Sequence, residues 1–443
     1  MKTPIADFVK SYQGSDSVRL HMPGHKGKTF LGMEKSDITE IEGADVLYSP
    51  EGIIKESELN ASLLFGTRHT FYSTEGSSLC IRAMIFLACQ NKEKPLILAA
   101  RNVHKAFVYA AALCDCEVGW IYPERLTHIC ACEISAEDVK RAIESSDRKP
   151  SAVYVTSPDY LGNLLDIKSI ALVCKEYGVP LLVDNAHGAY LNFLSENQHP
   201  IKLGASMCCD SAHKTLPVLT GGAYLHVSQD APESFYSNAR SALSLFASTS
   251  PSYLILQSLD MCNAYLSDCY REKLSETICN VASLKEHLTK KGFIAEGSEK
   301  LKITLNCNSY GYSGKELSDV LKKQDIFCEF SDRDFLVMMF TPENSAEDFE
   351  KIESAFDSIQ KKAPIEREKL QLTEKPKKAL SIRKAVFSPT ERVDTEKSVG
   401  RICASVTVSC PPAVPVVISG EIITEETVKI LKHYDINKIE VIV

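Results

Sequence analysis

A lysine in a polar turn between two apolar, strand-like runs is the residue of this chain best placed for covalent chemistry. The turn reads Ser211-Ala212-His213-Lys214-Thr215, after an apolar run that ends at Cys209 and before Ala223-Tyr224-Leu225-His226-Val227. In a partly desolvated site an ammonium loses its proton more readily, which frees the amine to attack a carbonyl and form a Schiff base. Upstream, Pro180-Leu181-Leu182-Val183-Asp184 has the pattern of a buried strand that ends in a carboxylate, and Asn185-Ala186-His187 follows it. A lysine and an aspartate at neighbouring strand ends suit pyridoxal 5′-phosphate, the lysine holding the aldehyde and the acid holding the pyridinium nitrogen. Taken alone, Ser-x-His-Lys is a weak signal and reads better as a capped loop with a solvated lysine. The order of the surrounding elements is what favours chemistry.

A phosphate-binding feature precedes both. Thr70 to Ser73 is expected to be a short strand; Thr74-Glu75-Gly76-Ser77-Ser78 follows, and then a helical run from Leu79 to Ala88. Strand, Gly-Ser-Ser, helix presents backbone N–H groups and two hydroxyls to an anion at a positive helix end. The plainer alternative is a serine N-cap.

The elements that must position these groups alternate. Strands are expected at Pro95 to Ala100, Val118 to Tyr122, Ala152 to Thr156, Leu181 to Asp184 and Ala205 to Asp210. Helices are expected at His104 to Leu113, from a capping-box start at Ser135, and at Asp166 to Tyr177. Such alternation predicts an α/β fold with a largely parallel sheet covered by helices on both faces. Ligands of such sheets gather beyond the carboxyl ends of the strands, where Gly76, Arg101 to His104, Ser157-Pro158, Asp184 and Ser211 to Lys214 all fall.

The segment Leu20-His21-Met22-Pro23-Gly24-His25-Lys26-Gly27-Lys28-Thr29 imitates a P-loop at its end, but Met22 stands where the first glycine belongs. His21 and His25 have helical metal-ligand spacing, yet Pro23 and Gly24 between them predict a turn. A turn-rich stretch from Asp45 to Ile54 leads into a helix over Lys55 to Phe65. Beyond the lysine turn, a long helix over Lys273 to Gly292 bridges to a second domain with strands at Leu301 to Leu305 and Phe335 to Phe340 and a helix from Ser345 to Lys361. A charged, proline-broken linker then runs to Lys378, and short strands, a helix over Glu425 to His433 and a last apolar strand complete the chain. The expected divisions are 1–290, 291–363 and 364–443.

At 443 residues the chain is too long for one simple core. Its apolar share of 44%, charged share of 24% and net charge of −8 fit a soluble globular protein and argue against a nucleic-acid or acidic-membrane surface. No apolar run is long enough for a membrane span, and Asp7 interrupts any signal-like start. Sixteen cysteines without a C-x-x-C pair read as buried free thiols, with no metal site, in a reducing cytoplasm.

The residues together resemble the Orn/Lys/Arg decarboxylases in their short bacterial form, a family with the aspartate-aminotransferase fold. The resemblance is carried by Leu20 to Gly27, Pro50-Glu51-Gly52, Gly76-Ser77-Ser78, Arg101 to Lys105, Asp184 to Ala189 and Ser211 to Lys214. Ser381 to Ala385, Val399-Gly400-Arg401, Pro411-Pro412, Pro415 and Gly420-Glu421 extend it almost to the C-terminus. It implies a pyridoxal-phosphate-binding large domain with a smaller C-terminal α+β domain, and a homodimer whose sites are completed by the second subunit. It also implies that a basic amino acid, arginine first and then lysine or ornithine, is decarboxylated to the amine and CO2. By the same resemblance Lys214 is the Schiff-base lysine, Asp184 the partner of the pyridinium nitrogen and His104 the ring stacked on the pyridine. Gly76, Ser77 and Ser78 form the phosphate cradle with Ser211 and His213 assisting, and His187 shapes the site. Glu75, Cys410 and Ala413 depart from the family pattern. An aminotransferase or lyase would share the lysine, the aspartate and the glycine loop, with Arg333, Arg383, Arg392 or Arg401 available for the substrate carboxylate. A non-catalytic binding protein of the same fold is the third reading.

Overall fold

Strand and helix alternate from His69 to Val227 in the computed structural model, which describes residues 1–123, 128–366, 375–404 and 414–443. Cys410, Ala413 and Pro411-Pro412 lie outside the described residues. Strands β1 (His69–Ser73), β2 (Leu96–Ala100), β3 (Glu117–Ile121), β4 (Ala152–Thr156), β5 (Leu181–Asp184), β6 (Met207–Asp210) and β7 (Ala223–Val227) form one sheet in the order β1-β7-β6-β5-β4-β2-β3. Every residue of β1, β2, β5, β6 and β7 is buried, which is why β2 and most of β5, β6 and β7 read as apolar runs, whereas β1 buries His69, Thr70 and Ser73 as well. β2 pairs with β3, and β5 with β6, in parallel, whereas β7 runs antiparallel to both β6 and β1. The reversal at β7 follows from its connection. Residues 211–222 carry only a four-residue helix, too little for the crossover that a parallel neighbour requires.

The chain forms two compact units. The first comprises Met1–Lys92, Ser151–Tyr154 and Ile167–Glu272. Its helix Gly76–Cys89 starts three residues earlier than Leu79, because Gly76 opens it with φ +72°, a left-handed turn out of β1 that glycine adopts without penalty. In this unit the sequence reading lacks the helices Pro4–Gln13, Glu233–Phe246 and Tyr253–Asp268. The first is signalled by Pro4 at its opening turn and is held by Asp260, whose carboxylate accepts the Ile5 and Ala6 N–H groups at 2.8 and 3.0 Å. Asp45 does the same for Ile53–Phe65, accepting N–H groups from Val46, Glu51, Gly52 and Ile54, so the turn-rich stretch caps a helix. Around His21 and His25 the chain makes turns, as Pro23 and Gly24 predict.

The second unit comprises Glu93–Pro150, Val155–Asp166 and Lys273–Val443. In it β8 (Ile294–Glu296), β9 (Lys302–Asn306), β10 (Phe330–Ser331) and β11 (Phe335–Met339) form an antiparallel sheet in the order β10-β11-β9-β8. Its core joins Leu284 and Leu288 of the long helix Tyr270–Lys291 to Ile303, Leu305, Leu336 and Phe356, with the Phe293 and Tyr310 rings stacked 3.8 Å apart. The helix expected to reach Lys361 is Ala346–Asp357; past it the Lys361 and Lys362 ammonium groups lie over the Tyr310 and Tyr312 rings. Near the C-terminus β12 (Thr390–Asp394) and β13 (Lys438–Ile442) pair antiparallel, with the helix Glu425–His433 before β13. Among the described residues no helix is long and apolar enough to cross a membrane.

Candidate active site

Two parallel strand ends bring the key groups together. β5 and β6 pair in register so that Asp184 lies beside Cys209, and the chain then leaves β6 through Ser211 into the short helix Ala212–Thr215 that carries His213 and Lys214. Lys214 is half-buried, and its Nζ lies 3.1 Å from His187 Nε2. His187 follows Asp184 by three residues, so the strand that supplies the acid also supplies the neighbour of the amine.

Asp184 is 2% exposed. Its carboxylate accepts the Tyr154 hydroxyl at 3.2 Å, the Ala186 N–H at 3.2 Å and the Cys209 thiol at 3.7 Å. Burial pushes its pKa up, and the Lys214 charge and the Ala186 N–H oppose this only in part. Among the described residues its hydrogen-bond donors are a phenol, an amide and a thiol, none of them cationic, an environment that a protonated ring nitrogen would complete.

Gly76 begins the helix that follows β1, and that helix has no side-chain cap. A Cβ at Gly76 would meet nothing within 4 Å, so its φ of +72°, not crowding, demands glycine. Ser77 Oγ accepts a hydrogen bond from Ser211 Oγ at 2.7 Å, which joins the lysine turn to the helix start. His213 Nδ1 lies 3.0 Å from the Gly222 carbonyl oxygen, and burial lowers its pKa. Ser78 lies in the first turn of the same helix. These donors fit a phosphate, and together with Lys214 and Asp184 they fit pyridoxal 5′-phosphate. Glu75 is turned aside: its Oε1 accepts the Ser248 N–H at 2.7 Å.

His104 belongs to the second unit, where it N-caps the helix Lys105–Leu113 and its Nδ1 accepts the Ala106 N–H at 3.1 Å. Two of the four arginines considered for a substrate carboxylate are engaged elsewhere. Arg383 donates to the Ala112 and Leu113 carbonyls, and Arg401 to Glu391 and the Ile442 carbonyl.

Sequence reading missed the residues behind the site. Asp210 is fully buried; its Oδ2 lies 3.1 Å from both His199 Nε2 and His226 Nε2, and its Oδ1 accepts the Asn185 amide at 2.7 Å. Burial alone would raise the Asp210 pKa, but the two imidazoles hold it well below the usual carboxylate range. His226 and Asp210 each occupied a strand already assigned, so their chemistry was masked by an apolar pattern. His199, Cys208 and Asp210 also form the one group among the described residues whose ligand atoms could share a cation.

The sequence matches the family model for the Orn/Lys/Arg decarboxylase major domain over residues 3–305 and that for the Orn/Lys/Arg decarboxylase C-terminal domain over residues 359–438. It is 30% identical to an arginine decarboxylase of Bacillus subtilis (strain 168), over 98% of this chain and 94% of that protein. A lysine decarboxylase of Pseudomonas aeruginosa is 25% identical over 64% of this chain and 43% of its own length. The lysine decarboxylase of Francisella novicida has the same fold, with a TM-score of 0.81 at 17% identity over 100% of this chain and 81% of that one. A structure of SPT with PLP is similar at a TM-score of 0.55 and 13% identity, over 69% of this chain and 75% of that one. The α/β fold with a mainly parallel central sheet is thus that of the decarboxylases, and the chain is a decarboxylase that belongs to the Orn/Lys/Arg decarboxylase family.

Proposed function

We propose that the chain binds pyridoxal 5′-phosphate between Lys214, Asp184 and the Gly76–Ser78 helix start and decarboxylates a basic amino acid, arginine first and then lysine or ornithine. The observation that carries this reading is the parallel pairing of β5 and β6, which sets the Asp184 carboxylate and the Lys214 turn at adjacent strand ends. When bound, the cofactor supplies an electron sink for the pair left behind as CO2 departs. Asp184, a carboxylate in a buried place where a cation is its best partner, would hold the protonated ring nitrogen. Lys214 would hold the cofactor through its amine, and His187 Nε2, 3.1 Å from Lys214 Nζ, is placed to take or return the proton of that amine. Ser77, Ser78 and Ser211 would hold the phosphate with His213 assisting, and the family resemblance assigns His104 to the ring of the cofactor.

The reading extends to assembly. Leu20 is 89% exposed and Leu31 85%, with Val18, Met22 and Phe30 also open to solvent, an apolar stretch suited to burial against a second copy of the chain. A homodimer with a shared site, a cytoplasmic setting consistent with the free described cysteines, and domains at 1–290, 291–363 and 364–443 complete the proposal.

Incubation with arginine, lysine and ornithine in turn, with CO2 and amine measured, tests the reaction. Keto-acid product in place of amine would move the chain to the aminotransferases. Borohydride reduction followed by peptide mapping tests the site: the reduced adduct is expected on Lys214 and absent from Lys214→Ala, and an adduct on another lysine would overturn the assignment.

A further inference from the structure

Three neighbouring strands converge on one carboxylate. Asp184 is the last residue of β5; Tyr154 reaches it from β4 on one side, and Cys209, its register partner, from β6 on the other. Asp184 Oδ2 accepts the Tyr154 hydroxyl at 3.2 Å, while Oδ1 accepts the Ala186 N–H at 3.2 Å and the Cys209 thiol at 3.7 Å. Both oxygens are held, and the carboxylate cannot rotate without breaking a hydrogen bond.

Packing alone does not require the Tyr154 hydroxyl. Ala152, Val153, Tyr154 and Val155 are all fully buried, and phenylalanine would fill the same space as the tyrosine ring. A hydroxyl taken out of water costs free energy unless it is bonded, and this one is bonded to an acid that is itself 2% exposed. A hydrogen bond to an ionised acceptor is roughly twice as strong as one between neutral groups, so the phenol favours the charged form of Asp184.

The titratable groups that feel the Asp184 charge are Tyr154 on β4, Cys80 on the helix Gly76–Cys89, Cys208 and Cys209 on β6, and Lys214 on the short helix after it. Burial raises the phenol and the three thiols above their ordinary values, so all four stay protonated at neutral pH. Burial also drives Asp184 toward its neutral form; the Lys214 charge, the Ala186 N–H, the Tyr154 hydroxyl and the Cys209 thiol oppose it in that order. The Lys214 contribution varies with the state of its amine. The amide, the phenol and the thiol are constant.

We propose that Tyr154 is a positioning residue: its hydroxyl keeps the Asp184 carboxylate ionised and fixed in place for a cationic partner, with the Cys209 thiol in a lesser version of the same role. The ring nitrogen of the cofactor is that partner under the function proposed above, and in this the inference rests on that reading.

The charge of Asp184 can be read without turnover. In the full chain freed of cofactor, the infrared band of the protonated carboxyl, assigned by its loss in Asp184→Asn, gives the titration midpoint. Tyr154→Phe should raise that midpoint by about one pH unit, a tenfold change in proton affinity. Cys209→Ala, an independent probe of the other oxygen, should raise it by less, since a thiol is the weaker donor. When pyridoxal phosphate is added and its visible absorbance followed, the acid limb of binding should move up by the same amount in Tyr154→Phe, with binding above that limb near the wild-type level. A purely structural role would instead weaken binding by one factor at every pH. An unchanged midpoint in Tyr154→Phe, or a loss of binding that does not depend on pH, would overturn the proposal. A shifted midpoint in a chain that takes up no pyridoxal phosphate would support the role of Tyr154 and overturn the function proposed above, so the two failures are distinguishable.

Discussion

The Asn185 amide donates to the Asp210 carboxylate at 2.7 Å, which ties the residue just after Asp184 to the residue just before Ser211. This one hydrogen bond spans the two strand ends from which the acid and the lysine turn emerge. Asp210 is held in turn by His199 and His226, so the spacing of the candidate site depends on a buried polar cluster on its inner side.

Asp210→Asn should therefore destabilise the fold by about 2–4 kcal/mol, the range for breaking one partner of a buried charged network. The sign of its pH dependence follows from a folded pKa below the unfolded one. Asp210 contributes its full stabilisation above the unfolded carboxylate pKa and loses it as pH falls through the lower folded value. Urea unfolding at a series of acid pH values is expected to show a steeper loss for the wild type than for Asp210→Asn, and parallel curves would dismiss the role of the carboxylate charge.

Asp184→Asn keeps the shape of the site and removes its charge. Turnover is expected to fall on the order of 100-fold or more, the scale of losing a preorganised charge at the reacting centre, while visible absorbance still shows cofactor on the protein. Near-normal turnover with full cofactor content would mean that the electron sink is not supported from this residue.

Gly76→Ala places a side chain at φ +72°, which costs about 1–2 kcal/mol of backbone strain although the space around it is open. Relief comes by shifting the helix start, so the cofactor should dissociate roughly ten times more readily with global stability little changed. Dialysis against phosphate and residual absorbance measure this, and unaltered retention would remove Gly76 from the cradle.

If the exposed apolar segment around Leu20 and Leu31 closes a neighbouring subunit's site, inactive Lys214→Ala protomers mixed with inactive protomers altered in that segment should recover part of the activity. Each mixed dimer would hold one intact site. Mixed dimers confirmed by mass but silent in the assay would leave each chain with a self-contained site.

The sequence by itself determined the alternation of buried strands and helices, because a strand covered on both faces must be apolar throughout and its ends must carry whatever polarity the site needs. Asp184 was legible for that reason as the polar last residue of β5, and Ser211 and Lys214 as polar residues of the turn that follows β6. Only the tertiary structure decided that β7 reverses direction, that Glu75 turns away to the Ser248 N–H, and that His199 and His226 converge on Asp210. These depend on contacts between residues distant in sequence, and a polar side chain within an apolar run gives no local sign of the partner that lets it be buried.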